Sequence, residues 1–399
     1  MKRTSADGLE GLTVLSMEQA LTLPYLTFRL AGEGMRVVRL ENPLAPDPNR
    51  NVGDNVLGEP GMNSYFLPYN AGKESVTLNL AEPRGRELLH EMIRRLPVDV
   101  FAANTRPKNF ERLGVDYETL RRIRPEIIWL SITGFGPESD ETAYDPVLQA
   151  RLGWMDLTGE AGGAPQVFGL PMVDLGTSEH AYGAVMKALF QRERTGTGSR
   201  IDLAMARSAF AWMILPVGMA ASFGTVTRRR GSTHPFFGPV SVYPTKDGFA
   251  YVAVGSDRQW DKLAGHAAFA ALARDEYRTN AGRMASGDRI HREMAEATKR
   301  LTTEGVLAAL RELGVPVSRV ATLTDVLADP CVADRLRARD TKTGKELELP
   351  PPPLVSGFLA RRGLRLPFPP RMGEHTAAIL GELGRTPADV EALRAGGVL

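Results

Sequence analysis

The chain has 399 residues, 43% hydrophobic and 24% charged, enough for a large buried core and too many for a single one, so two domains are expected. Lys and Arg total 49 against 47 Asp and Glu; this formal charge of +2 excludes an unselective nucleic-acid binder while allowing a local basic patch. Cys331 is the single cysteine, which excludes an intrachain disulfide framework and a cysteine metal cluster and fits a reducing compartment.

The first eight residues lead into Leu9-Glu10-Gly11 without the apolar core of a signal peptide. A short β-branched run followed by a helix-like stretch then recurs, the pattern of βα units and a mainly parallel sheet. Strands are expected over residues 12–17, 36–41, 75–80, 99–103 and 127–131. Pro83 suits the first turn of the helix that follows the third of them. A helix is expected from Thr177 to about Arg194, with Ala181, Val185 and Leu189 on one face and Gly196 as its stop. Residues 199–203 read as a short strand, followed by an apolar segment that reads as one long buried helix. The longest apolar run, 209–221, is broken by Pro216 and is shorter than the ~20 residues that span a bilayer. A soluble cytoplasmic protein with no membrane or nucleic-acid partner is therefore expected.

The chain changes character near Arg228-Arg229-Arg230-Gly231. Residues 240–243 and 249–254 flank Lys246-Asp247-Gly248, a hairpin with an Asp-Gly turn, and helices follow over 257–312. This stretch reads as a smaller α+β domain. Prolines 350–353 mark a linker or extended crossing, and the tail from Glu374 is helical.

Several familiar motifs are missing or misplaced. Gly32-Glu33-Gly34 imitates a dinucleotide glycine pattern but follows a helix and precedes a strand, so it reads as a helix stop. Gly72-Lys73 continues into Glu74 without the spacing of a phosphate loop, His90-Glu91 lacks a second histidine, and no Gly-x-Ser-x-Gly elbow occurs. Six scattered histidines form no metal-ligand pattern.

A carboxylate nucleophile survives this scan. Residues 169–178, GLPMVDLGTS, place Asp174 just before the expected helix start. Free N–H groups there would lower its pKa and keep it ionised, or support an oxyanion. Capping or charge pairing is the plainer role for such an aspartate.

The whole chain resembles the class III CoA-transferases, the CaiB/BaiF family that includes formyl-CoA transferase. The resemblance runs through residues 9–15, Ala31-Gly32-Glu33-Gly34 with the following strand, 70–80, Asn104-Thr105-Arg106-Pro107, and Phe110-Glu111-Arg112-Leu113-Gly114. It continues through 131–136, Tyr144-Asp145-Pro146, Thr158-Gly159-Glu160, Val173-Asp174-Leu175, 194–198, His234-Pro235, Asp247-Gly248 and Gly373-Glu374-His375-Thr376.

The resemblance implies a Rossmann-like parallel-sheet large domain, residues 1–224 and 326–399, interrupted by a small domain, 225–325. It also implies an interlocked homodimer, or a heteromer with a paralogous subunit. It makes Asp174 the catalytic residue. CoA contacts are implied at Leu21, Thr22, Asn42, Leu78, Asn79, Leu80, Ala81, Asn104, Thr105, Arg106, Arg112, Thr133, Gly134, Phe135 and Gly136. For Arg112 a surface ion pair is the alternative. The implied reaction moves CoA from an acyl-CoA donor, succinyl-CoA being one candidate, to a carboxylic acid, through an aspartyl anhydride and an aspartyl-CoA thioester. Coenzyme A enters as acyl-CoA substrate, with no metal and no redox cofactor.

Because such intermediates hydrolyse, a lid is expected. The loop 231–238, with His234, Phe236, Phe237 and Gly238, is the candidate, an ordinary interdomain loop being the alternative. Some family members are acyl-CoA racemases that pair the aspartate with a histidine. Ala143-Tyr144-Asp145 stands in that place here, and tyrosine is a poor base near neutral pH. A non-catalytic CoA-binding subunit of a heteromer is the third reading. Departures from the family pattern are Leu21-Thr22-Leu23-Pro24 for a small-residue loop, Asn42 for a basic residue, and Gly72-Lys73-Glu74 for Asn-Lys-Arg.

Overall fold

A computed structural model describes residues 9–399. The described chain forms two compact units, residues 9–152, 168–223 and 334–399 in the first and 153–167 and 224–333 in the second. Residues 153–167, expected in the large domain, pack with the smaller unit, which extends to 333 rather than 325.

The first unit is built on six strands, β1 (Thr13–Met17), β2 (Arg36–Glu41), β3 (Lys73–Thr77), β4 (Val98–Ala103), β5 (Ile128–Thr133) and β6 (Ser199–Ala204). Their order is β3-β2-β1-β4-β5-β6, every neighbouring pair parallel. This is the doubly wound Rossmann order, whose ligand crevice lies where the strand order reverses, between β1 and β4 at their C-terminal ends. Helices cover a sheet whose central strands are buried on both faces, which is why residues 98–103, VDVFAA, and 128–133, IWLSIT, read as nearly continuous apolar runs. One core joins Val38, Leu40, Val76, Phe101 and Trp129 to Leu88, Ile93, Ile379 and Leu393 from flanking helices.

The third strand ends at Thr77, three residues earlier than expected. Beyond it Leu78 donates to the Glu41 carbonyl at 2.9 Å and Asn79 to the Val398 carbonyl at 2.8 Å, so this backbone turns to secure the C-terminal tail. An antiparallel pair, β7 (Val240–Pro244) and β8 (Phe249–Ala253), forms the expected hairpin, and β9 (Val317–Arg319) joins β8. These strands pack in the second unit with Trp260, Phe269 and Tyr277. Around the proline-rich crossing the first unit adds a hairpin that periodicity did not reveal, β10 (Leu336–Arg339) with β11 (Glu346–Leu349).

Two helical expectations change. The long helix spans Met172–Thr195 and is stopped by Gly196 at φ +71°, but it starts five residues earlier than Thr177. The apolar segment after β6 is two helices, Met205–Ala211 and Ile214–Phe223, bent by 74°. Pro216 sits in the first turn of the second, where its missing N–H costs nothing, so it initiates a new helix rather than ending one. No residue of Ile214–Phe223 is buried within the chain, contrary to the expected buried helix. Among the described residues no single helix is long and apolar enough to cross a membrane.

Candidate active site

A cleft of about 210 Å³ opens at the carboxyl ends of β1, β4 and β5. Its walls include Gln19, Ala20 and Thr22 after β1, Asn104, Thr105 and Arg106 after β4, and Ile132, Thr133 and Gly134 at the end of β5. Residues 139–144 and Asp174 also line it. Seven of the expected site residues therefore converge: Thr22, Asn104, Thr105, Arg106, Thr133, Gly134 and Asp174.

Asp174 occupies the first turn of the Met172–Thr195 helix. Its Oδ1 accepts a short hydrogen bond from the Thr22 hydroxyl, and no described residue donates to Oδ2. Thr22 is itself fixed, because its carbonyl accepts from Ser178 Oγ at 2.5 Å, about one turn beyond Asp174 on the same helix. The helix N-terminus is closed by Asp145, whose Oδ2 accepts from the backbone N–H of Val173 at 2.6 Å and of Asp174 at 3.2 Å. Asp145 is 4% exposed, and Gln149 one helical turn later donates to its Oδ1 at 2.6 Å. Gln149 Oε1 accepts from the Phe168 N–H at 2.9 Å, tying in the chain that enters the helix.

This arrangement reverses the expected electrostatics. Burial, opposed by the Thr22 hydrogen bond and reinforced by the Asp145 charge, raises the Asp174 pKa to about 6. The helix N–H groups expected to favour its ionised form are spent on a second carboxylate. Their occupation also removes them as an oxyanion site. The charge of Asp174 reaches a tyrosine cluster, Tyr25, Tyr65 and Tyr69, with ring centroids 6.2–6.4 Å apart. Burial, Tyr65 and Asp174 push the Tyr69 phenol up to about 12, and burial with Asp174 and Asp145 raises that of Tyr65.

Asn104 and Gln19 form a reciprocal pair, Gln19 N–H to Asn104 Oδ1 at 3.1 Å and Asn104 Nδ2 to the Gln19 carbonyl at 2.8 Å. The Asn104 amide thus braces the loop after β1. Arg106 brings a guanidinium to the cleft and donates to Thr142 Oγ1 at 3.1 Å. Gly134 has no room for a side chain, since a Cβ would lie 2.4 Å from that of Ala143. Thr133 Oγ1 accepts from the Gly136 N–H at 3.0 Å, and Phe135 lies under the Arg151 guanidinium.

The remaining expected contacts lie elsewhere. Leu21 is 2% exposed, and Leu78 and Leu80 belong to the hydrophobic core. Asn79 is spent on the Gly397 carbonyl and the Ala81 N–H, while Ala81 is exposed. Asn42 is exposed at the end of β2, and Arg112 is exposed and donates to Asn109 Oδ1. In the second unit the 231–238 loop is anchored at its end: Asn280 bonds both the Phe236 carbonyl and the Gly238 N–H, and buried Arg283 donates to the Gly238 carbonyl at 2.6 Å. His234 stacks on Phe237 with centroids 3.6 Å apart.

Residues 9–376 match the model of CoA-transferase family III. The chain belongs to CoA-transferase family III. It is 31% identical to the succinate–glutarate CoA-transferase of Agrobacterium fabrum, over 94% of this chain and 95% of that one. It is 30% identical to the human succinyl-CoA:glutarate CoA-transferase, over 94% and 86%. A solved CAIB/BAIF family protein from Brucella suis matches with a TM-score of 0.82 and 31% identity, over 94% of this chain and 99% of that one. The family III chain thus carries its cleft at the switch point of the sheet, with one partly buried carboxylate in its wall.

Asp145 and Gln149, which support Asp174, carry no role in the sequence reading. The Asp-Pro pair at 145–146 is a legible helix start, but that its carboxylate caps a different helix 28 residues on is a tertiary fact.

Proposed function

We propose that this family III enzyme transfers CoA from an acyl-CoA donor to a carboxylic acid acceptor with Asp174 as nucleophile. The observation that carries the reading is the Asp174 carboxylate in the cleft wall, one oxygen held by Thr22 and the other without a donor. A pKa of about 6 leaves it largely ionised at neutral pH and more nucleophilic than an ordinary aspartate.

Asp174 Oδ2 attacks the acyl carbonyl of the donor, the C–S bond breaks, and CoA thiolate leaves a mixed anhydride. The thiolate then attacks the aspartyl carbonyl, expelling the donor carboxylate and forming an aspartyl-CoA thioester. The acceptor carboxylate attacks that thioester and releases the thiolate again. Attack of the thiolate on the acceptor's carbonyl in the second anhydride yields the new acyl-CoA and restores Asp174. Charge and atoms balance without another reactant. Thr22 orients the nucleophile, and Arg106 supplies positive charge for an anionic group of CoA or acid.

The named relatives act on succinyl and glutaryl groups, which favours a short dicarboxylate as donor acid, acceptor or both. With succinyl-CoA as donor, formation of new acyl-CoA is expected to be faster with the five-carbon dicarboxylate glutarate than with the monocarboxylate of equal length. Chromatographic separation of the acyl-CoA products checks this, and equal rates would contradict it. Phe210, Ile214, Leu215 and Phe223 on the two bent helices, with Trp212 between them, are exposed apolar side chains. Five large apolar side chains exposed together support a homodimer in which a second copy covers them.

A further inference from the structure

We infer that Asp47 and Asn49, from the turn after β2, are positioning residues for CoA transfer, clamping Ala20 in a left-handed turn so that the Thr22 hydroxyl meets Asp174. The inference rests on the reading of Asp174 as nucleophile. Ala20 has φ +63°, a conformation that its Cβ disfavours and that persists where surrounding contacts over-determine it. Those contacts are on both sides of the residue. Its N–H donates to Asp47 Oδ1 at 3.1 Å, and its carbonyl accepts from Asn49 Nδ2 at 2.7 Å.

The clamp is itself anchored. Asp47 Oδ1 also accepts from the Asn49 N–H at 3.0 Å, and Oδ2 accepts from Arg39 at 2.6 Å. Arg39 is completely buried and donates further to Glu18 Oε1 at 3.2 Å and Asn70 Oδ1 at 2.7 Å. Lys73, equally buried, holds the same Glu18 oxygen at 2.7 Å and the Pro24 carbonyl at 2.9 Å. Glu18 and Pro24 bracket the 19–23 loop, so the segment carrying Thr22 is gripped before, at and after the strained residue. Among the described residues Asp47 and Asn49 neither line the cleft nor hydrogen-bond to Asp174, and they grip the loop that carries Thr22 directly at the Ala20 turn.

Thr22 lowers the proton affinity of Asp174, against burial and the Asp145 charge, while Tyr65 and Tyr69 face the same carboxylate. A turn that slips is therefore read in the acid limb of kcat/KM, which reports ionisation of the free enzyme. The test uses Thr22→Val, Asn49→Ala and the double variant in the full chain, assayed for CoA exchange between pH 5 and 9. Thr22→Val is expected to move the limb upward by about one unit. Asn49→Ala is expected to move it in the same direction and lower kcat/KM about tenfold, and to add no further movement in the Thr22→Val background. Leu393→Ala, which trims the core beside the C-terminus and loses stability, is expected to leave the limb in place. Should Asn49→Ala fail to fold, the near-isosteric Asn49→Leu removes the donor without adding charge and carries the same expectation.

An unmoved limb in the Asn49 variant, or a shift that adds fully to that of Thr22→Val, overturns the positioning role. Exchange that persists in Asp174→Ala would instead overturn the nucleophile reading, so the two failures are separable.

Discussion

Asp174→Ala is expected to lose CoA exchange by at least ~10³-fold while remaining folded, because in the proposed mechanism the covalent intermediates form on that carboxylate. The companion variant Asp174→Asn keeps an oxygen for the Thr22 hydroxyl and removes the charge, and it is expected to be equally inactive yet more stable. The folded pKa of about 6 lies above the ordinary 3.8, so the folded state holds the proton more tightly than the unfolded one. The ionised carboxylate therefore opposes folding. That opposition is absent below pH ~4, grows as pH rises between the two values, and is complete above pH ~6, reaching about 3 kcal/mol. Urea unfolding of the wild type and Asp174→Asn at pH 4 and pH 8 checks it: the two should coincide at the lower pH and separate at the higher. A site that destabilises the fold in this way is characteristic of catalytic machinery, where a partly buried charge is kept for its reactivity.

Glu18→Ala is the substitution expected to cost most stability. Glu18 has no solvent exposure, and despite the upward push of burial, Lys73 and Arg39 hold its carboxyl below the ordinary value. Its removal leaves two buried cations sharing Asp47, Glu41 and neutral oxygens, and it takes from the Thr27 hydroxyl its shortest acceptor, Glu18 Oε2 at 2.6 Å. Breaking a buried charge network from one side costs about 3–5 kcal/mol. Glu118→Ala, which removes an exposed pair with Arg121, should cost under ~1 kcal/mol in the same urea titration. Comparable losses for the two variants would contradict the assigned role of the network.

The sheet was legible because fully buried parallel strands write themselves as short β-branched runs, as residues 36–41 and 127–131 do. Asp174 was legible through its Val-Asp-Leu context and its place near a helix start. Its environment was not. The expected lowered pKa assumed free N–H groups, whereas Asp145 takes those of Val173 and Asp174, a contact made only when the two helices pack. The loop after β1 escaped for a related reason. Nothing local marks Ala20 as left-handed, since alanine disfavours that region and only Asp47 and Asn49, brought in by the next strand, hold it there. Leu78 and Leu80 were misleading because residues ending a strand can turn into the core, as these do, as readily as toward the cleft. The Ile214–Phe223 helix was expected to be buried on composition alone, and its exposed apolar face now bears on assembly rather than on the core.

The proposed mechanism requires that the donor covalently activate Asp174. Incubation of the wild-type enzyme with succinyl-CoA in the presence of hydroxylamine, followed by peptide mass spectrometry, reads this directly, since hydroxylamine converts an activated carboxyl to a hydroxamate. The expected result is a hydroxamate on Asp174, dependent on the acyl-CoA and accompanied by loss of exchange activity. Sustained exchange with an unmodified Asp174, or modification confined to another carboxylate, would contradict Asp174 as the nucleophile.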